Sequence, residues 1–351
     1  MFKFNELKQI HLEITNNCQA SCPMCNRNIN SGLDNPLIKL SNWTLDKFKN
    51  VMSSEVLDQI DGFYFCGNFG DPIINNDLLD MISYSSAVSP KTQIVVHTNG
   101  SARNHSWWTK LAQVMPVRHR VVFALDGLED THSLYRVGTD FRTILENAKS
   151  FISAGGIAEW VFIKFKHNEH QVEEAKKLAS EFGFEIFTLK NSSRFIIEPK
   201  VNVLDRQGNI MHYIEPASDV PMKFIDRKVI EAYKEILAKS DIKCKSQNEK
   251  EIYIDAFGDL FPCCWLASVP YSHIGTDDAI EVKTQMLRQH AELVNSLGNI
   301  NVFTTSIKNV VNSNAYQTVW KEYWTTNKLI TCARTCSVNT SFAKPRDQIV
   351  K

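Results

Sequence analysis

At 351 residues the chain is long enough for one large domain and a smaller one, since domains usually run to roughly 100–200 residues. Hydrophobic residues at 43% and charged residues at 22% are the proportions of a folded protein with a substantial core, which excludes disorder. Lys plus Arg and Asp plus Glu both total 39, so no global field favours nucleic acid or an anionic membrane, and no run approaches the roughly 18 apolar residues of a membrane span. The opening segment MFKFNELKQI lacks the apolar core of a signal peptide, so a cytoplasmic setting is expected. In that setting nine cysteines point to metal or cluster ligation in preference to disulfides.

The first half alternates short strands with helices, the pattern of parallel βα units. Strands are predicted at Gln9–Thr15, Gly62–Cys66, Gln93–Thr98, Arg120–Leu125, Glu159–Phe165 and Phe184–Leu189, most of them rich in Val, Ile and Phe, as suits strands covered on both faces. A helix is predicted over Glu169–Phe182, with Gly183 as its stop. Six units fall short of the eight that close a barrel, so the fold expected for residues 1–195 is α/β, a partial (β/α)6 TIM-type barrel. In such sheets the chemistry gathers at the C-terminal ends of the strands.

Directly after the first strand comes Cys18-Gln-Ala-Ser-Cys22-Pro-Met-Cys25, a C-x3-C-x2-C triplet on a loop. Three thiolates from one loop can hold three irons of a [4Fe-4S] cluster and leave the fourth iron open to a small ligand. Zinc is the alternative, but it wants four ligands, and neither a His nor a fourth Cys lies nearby in the sequence.

This triplet in this place resembles the signature of the radical S-adenosylmethionine (SAM) superfamily, and the resemblance extends over nearly the whole chain. It implies that the methionine part of SAM chelates the open iron and that Met24 meets adenine through its backbone. Phe65-Cys66-Gly67-Asn68-Phe69-Gly70-Asp71-Pro72 resembles the family's Gly-Glu-Pro motif, which receives the methionine amino group. Gly70 and Pro72 would shape that loop, with Asp71 in the place of Glu. A plain turn capped at Asn75 is the alternative. His97-Thr98-Asn99-Gly100 resembles the family's Thr-Asn-Gly turn, and Ala124-Leu125-Asp126-Gly127 ends the fourth strand. Tyr135-Arg136 follows, as in relatives with a second cluster; by the resemblance Arg136 reaches the SAM carboxylate and Asp126 lines the site. Ala124 stands where a ribose-contacting serine is common. Lys164, Lys166 and Asn168 fall at or beyond the fifth strand's end, as ligand-facing or surface groups, and Cys66 reads as a small buried hydrophobe.

Beyond Phe195 the rhythm breaks. Val201–Leu204 and Ile210–Ile214 read as a hairpin, and Pro216 and Pro221 precede a helix around Phe224–Lys239. Residues 196–240 are therefore expected to be a linker. Residues 241–351 are expected to form a second domain, with a hairpin, a helix near Asp278–Leu297 and an aromatic helix around Ser313–Trp324. Cys244 and Cys263 bracket that hairpin in a C-x13-G-x4-C spacing, and Cys332-Ala-Arg-Thr-Cys336 adds two more thiols. The four make a complete site for one auxiliary [4Fe-4S] cluster or for a zinc ribbon, and Cys264 is either a substitute ligand or a bystander. The arrangement resembles the small α+β twitch domain, the shortened relative of the SPASM extension.

The resemblance as a whole implies an oxidoreductase-like radical SAM enzyme that reductively cleaves SAM to a 5′-deoxyadenosyl radical and abstracts a substrate hydrogen. An electron donor such as flavodoxin or ferredoxin would serve it, and the auxiliary cluster would take an electron from the substrate radical. A peptide or protein substrate is the first expectation. A small-molecule (alcohol, sugar or nucleotide) dehydrogenase or rearrangement enzyme is the second, and a non-catalytic iron–sulfur or zinc protein the third. No residue can be named from the sequence as substrate base.

Overall fold

All six strands expected of the first half form, with some ends shortened and the fifth and sixth shifted along the chain: β1 (Gln9–Leu12), β2 (Gly62–Phe65), β3 (Gln93–Thr98), β4 (Arg120–Ala124), β5 (Ile157–Lys164) and β6 (Ile186–Asn191). The structure is a computed structural model that describes residues 1–115, 118–192, 195, 200–219, 237–272, 280–339 and 347–348. The six strands pair in parallel and in chain order, so each crossover returns the chain to the next position of one sheet. The helices α1 (Leu78–Val88), α2 (His105–Val114), α3 (Phe141–Ser153) and α4 (Val172–Glu181) fall between them. Asn104 and Asp140 cap α2 and α3 by accepting the Trp107 and Thr143 amides at 2.9 and 2.7 Å, contacts worth about 1 kcal/mol each. Gly183, at φ 86°, takes the left-handed turn that ends the α4 segment.

Alternation along the strands decides what faces inward. Ile10, Leu12, Phe63, Phe65, Val121 and Phe123 belong to the main core, whereas Tyr64 packs with Val95, Val122 and Val161 in a separate small cluster. On β1 this puts His11 on the opposite face from Ile10 and Leu12, and just beyond it Glu13 follows the same alternation; both are buried.

A hairpin of β7 (Val201–Leu204) and β8 (Ile210–Ile214), bulged between Ile210 and His212, packs Val203 and Ile214 against Tyr135 and Phe165. The helix expected around Phe224–Lys239 lies outside the described residues except for its last turn. Next in the chain, β9 (Glu251–Ile254) and β10 (Leu260–Phe261) form the second expected hairpin. β9 joins the barrel sheet, lying parallel to β1 with Gln9 opposite Glu251 and Leu12 opposite Ile254. At the far edge Asp347–Gln348 pairs antiparallel with β6, so the sheet is open, not closed. Three further helices, α5 (Ile280–Leu297), α6 (Asn314–Thr325) and α7 (Ile330–Cys336), pack behind β9 and β10. Among the described residues no helix is long and apolar enough to cross a membrane.

Candidate functional site

The cysteine triplet leaves β1 on a loop whose turns are set by local bonds: Ala20 N–H approaches the Cys18 sulfur at 3.4 Å, and Cys25 N–H donates to Cys22 O at 3.0 Å. Three strand ends supply groups to its sulfurs. Asn99 Nδ2, after β3, lies 3.6 Å from Cys18 Sγ; Arg136 Nη1, after β4, lies 3.9 Å from Cys22 Sγ; Asn68 O, after β2, lies 3.7 Å from Cys25 Sγ. Burial pushes the Cys18 and Cys22 thiols up, and each of the two is raised further by the Cys25 charge beside it. The protein's own field therefore does not ionise them, and a bound cationic metal centre is the partner that would. Among the described residues no three His, Cys, Asp or Glu side chains are drawn together as a single-ion site. One zinc, with Zn–S near about 2.3 Å, needs its sulfurs within roughly 4 Å of one another, while a four-iron cluster spreads its thiolates around its own body. Three thiols on one loop, with amide and guanidinium donors at two of their sulfurs, are a donor set of the kind a four-iron cluster takes.

Around the triplet the candidate residues meet as follows. A Cβ on Gly70 would lie 1.9 Å from Thr15 O, so only glycine lets this loop cross β1's exit, where Asp71 N–H donates to Asn17 O at 2.9 Å. Pro72 starts the short 3-10 turn Pro72–Ile74 that Asp71 caps. The buried Asp71 carboxylate accepts from Thr98 Oγ1 at 2.8 Å, Asn99 N at 2.7 Å, Asn99 Nδ2 at 2.6 Å and Ile73 N at 3.2 Å. Three of these contacts hold the Thr98–Asn99 turn. Asp126 and Arg136 form a buried ion pair at 2.6 Å, and the other Asp126 oxygen accepts Ile163 N–H at 2.5 Å. Asp126 thereby aims the guanidinium at Cys22. Met24 packs on the cluster of Tyr135, Phe165, Val203 and Ile214, under the β7–β8 hairpin. Lys164 and Lys166 pair with Asp219 and Glu215, and the buried Asn168 bonds the backbone of Ile163 and Phe165.

The second set converges from three elements. Cys244 precedes the turn Lys245–Glu249, Cys263 caps Cys264–Ala267, and Cys332 and Cys336 stand four apart on α7, hence on one face. All four line one enclosed cavity of about 20 Å³, and Cys264 is not among its walls. Cys264, the first residue of that helical turn, lies instead beside Cys66 and Tyr253. Burial pushes Cys244 up to about 11 and raises Cys263 and Cys332 well above the ordinary thiol value, so the protein's own field leaves them neutral. Cys66 itself is only partly covered, with its thiol pushed up to about 12 by burial and the Cys264 charge.

Sequence reasoning passed over Glu13, Gln19 and Asn68. Glu13 accepts the Phe69 and Gly70 amides at 2.7 and 3.0 Å and the Tyr253 hydroxyl, so it ties β1, the glycine loop and β9 together. Its signal was the polar alternation His11, Glu13, Thr15 within an apolar strand. Gln19 donates to Asn99 Oδ1 at 2.6 Å, and Asn68 Nδ2 donates to Cys264 O at 3.1 Å, linking the two cysteine regions.

No family model and no curated protein matches the sequence. Solved structures match over nearly its whole length. SuiB of Streptococcus suis bound to the precursor peptide SuiA is 16% identical, with a TM-score of 0.58 over 97% of this chain and 75% of that one. SuiB bound to S-adenosylmethionine gives 13% and 0.56 over 97% and 76%. The protein anSMEcpe with bound AdoMet and Cp18Cys peptide gives 14% and 0.52 over 95% and 93%. At these identities the likeness is one of fold: the chain has the partial-barrel fold of the radical SAM enzymes.

Proposed function

We propose that the chain is a radical SAM enzyme with a [4Fe-4S] cluster on Cys18, Cys22 and Cys25 and an auxiliary [4Fe-4S] cluster on Cys244, Cys263, Cys332 and Cys336. One observation carries this: three sulfurs on one loop, at the C-terminal ends of parallel strands, are met by the Asn99 and Arg136 side chains and by the Asn68 carbonyl. With SAM bound, such a cluster supplies the electron that releases a 5′-deoxyadenosyl radical.

The chain's own residues bind and orient. Asn99 and Arg136 flank the sulfurs with donors that stabilise negative charge, and Arg136 is the group placed to meet the SAM carboxylate. Asp71 acts through the Thr98–Asn99 turn, and Asp126 acts by fixing Arg136. Gly70 lets the loop pass close beside β1, and Pro72 starts the turn that Asp71 caps. Met24 and the β7–β8 hairpin form an apolar wall that excludes water from one side. The substrate we favour is a peptide or protein, in keeping with the peptides bound in the SuiB and anSMEcpe structures. An electron donor such as flavodoxin or ferredoxin would serve the first cluster.

Anaerobic reconstitution tests the proposal. We expect about eight irons per chain, the sum for two four-iron clusters, and 5′-deoxyadenosine from SAM under dithionite. Stoichiometric zinc with little iron would refute it.

A further inference from the structure

Helix α6 carries Tyr316, Trp320 and Trp324 at intervals of four, on one face. That face is turned toward the second cysteine set. Trp320 and Trp324 line the same cavity as Cys244, Cys263, Cys332 and Cys336, and the Tyr316 hydroxyl lies close enough to Cys244 and Cys263 to feel their charge. Tyr316 and Trp320 are 0% and 1% exposed. Tyr316 Oη, Trp320 Nε1 and Trp324 Nε1 are all shielded from solvent, and none has a hydrogen-bond partner of good geometry. Trp324 nevertheless approaches Cys332 from the side that favours its thiolate, opposing the effect of burial.

Buried N–H and O–H groups are almost always paired. Three orphans on one helix face, beside four thiols, are donors lacking an acceptor, and a neutral thiol is a weak one. Thiolate and sulfide sulfurs carry negative charge and accept strong, charge-assisted bonds. Phenylalanine would keep an aromatic ring at each position without burying a polar atom, matching Tyr316 in size and falling somewhat short of Trp320 and Trp324.

We propose that Tyr316, Trp320 and Trp324 donate hydrogen bonds to the sulfurs of a cluster held by Cys244, Cys263, Cys332 and Cys336, and so set its reduction potential. The proposal rests on reading that cysteine set as an iron–sulfur site. Reduction adds one electron and one negative charge to the cluster, and donors aimed at its sulfurs stabilise the reduced form more than the oxidised one. They act as positioning and tuning residues and touch no substrate.

The experiment uses the full chain carrying Cys18→Ala, so that the auxiliary cluster alone reports, with and without Trp324→Phe, Trp320→Phe or Tyr316→Phe. After anaerobic reconstitution, iron and zinc are counted and the midpoint is measured by redox titration followed by electron paramagnetic resonance. Each Phe variant is expected to keep its iron and move the midpoint to a more negative value. Trp324→Phe should give the largest shift, at least tenfold in the reduction equilibrium, or about 59 mV for one electron. Unchanged midpoints at full iron occupancy overturn the proposal. Should a variant lose iron, pulsed resonance on the parent protein in H2O and D2O decides: exchangeable-proton couplings to the reduced cluster support the donors, and their absence overturns them. Zinc in place of iron in the parent protein refutes the underlying cluster reading, an outcome separate from an unmoved potential.

Discussion

Glu13 sits with both carboxylate oxygens engaged, yet burial outweighs the bonds from Phe69, Gly70 and Tyr253 and pushes its pKa up to about 7. A carboxyl group raised in the folded state holds its proton after the unfolded chain has lost it. Its contribution to stability therefore falls as pH rises from about 4.5 to about 7 and stays lost above that, on the order of 3 kcal/mol. Glu13→Gln keeps the neutral shape. Denaturant titrations from pH 5 to pH 8 should show a shallower decline in the variant and a higher stability than the parent at pH 8. A residual slope should remain from Asp255, also pushed up to about 7 by burial and the Asp259 charge. An unchanged slope would mean Glu13 is ionised throughout.

Asp71 makes the complementary case at the same scale. Removing its carboxylate strands the Asn99 amide and the Thr98 hydroxyl, at a cost of about 3 kcal/mol in stability. It also frees Asn99 from its place 3.6 Å from the Cys18 sulfur. Asp71→Ala should keep full iron content while SAM affinity drops about tenfold, near 1.4 kcal/mol, by titration calorimetry. Equal affinity in both proteins would take Asp71 out of ligand binding altogether.

At the scale of elements, the seam between β1 and β9 is the feature with consequences. β9 places Ile252 and Ile254 in the same core as Ile10 and Leu12, and Trp43 Nε1 donates to Ala256 O at 3.2 Å across the seam. A chain ended at residue 240 would leave β1 as an open edge with apolar neighbours uncovered, the arrangement that recruits other edges. Such a truncation is expected to aggregate or to lose cooperative unfolding by calorimetry. A soluble fragment with a sharp transition would show that the barrel is complete without β9.

For the molecule as a whole, one cysteine set lies on the loop after β1 and the other around the cavity behind β9 and β10, and the two should fail independently. Cys18→Ala removes a thiolate from the loop that SAM would meet, so 5′-deoxyadenosine production should stop. Cys332→Ala damages the cavity behind β9 and β10, and cleavage of SAM under dithionite should persist at a rate within about threefold of the parent, provided the variant remains folded by circular dichroism. Retained cleavage in the first variant, or complete loss in a folded second, would reverse the roles assigned to the two sets.

Much of this architecture is local information. Short runs, most of them rich in Val, Ile and Phe, specify β1–β6 because each strand and helix forms by its own periodicity, and Gly183 ends a helix segment wherever it falls. The C-x3-C-x2-C spacing is legible because one loop carries all three thiols. Long-range contacts were beyond such a reading. Nothing near residue 251 announces that β9 will pair with β1 and not stand in a separate domain, since pairing partners are chosen by edge availability and shared burial. The same holds for Asp71, whose partners lie 27 and 28 residues away, and for Glu13, whose bond to Tyr253 spans 240. Spacing alone proposed that Cys244, Cys263, Cys332 and Cys336 act together and left Cys264 open; the tertiary structure put the four around one cavity and Cys264 beside Cys66, because the chain turns from the extended Cys263 into a helical turn at Cys264.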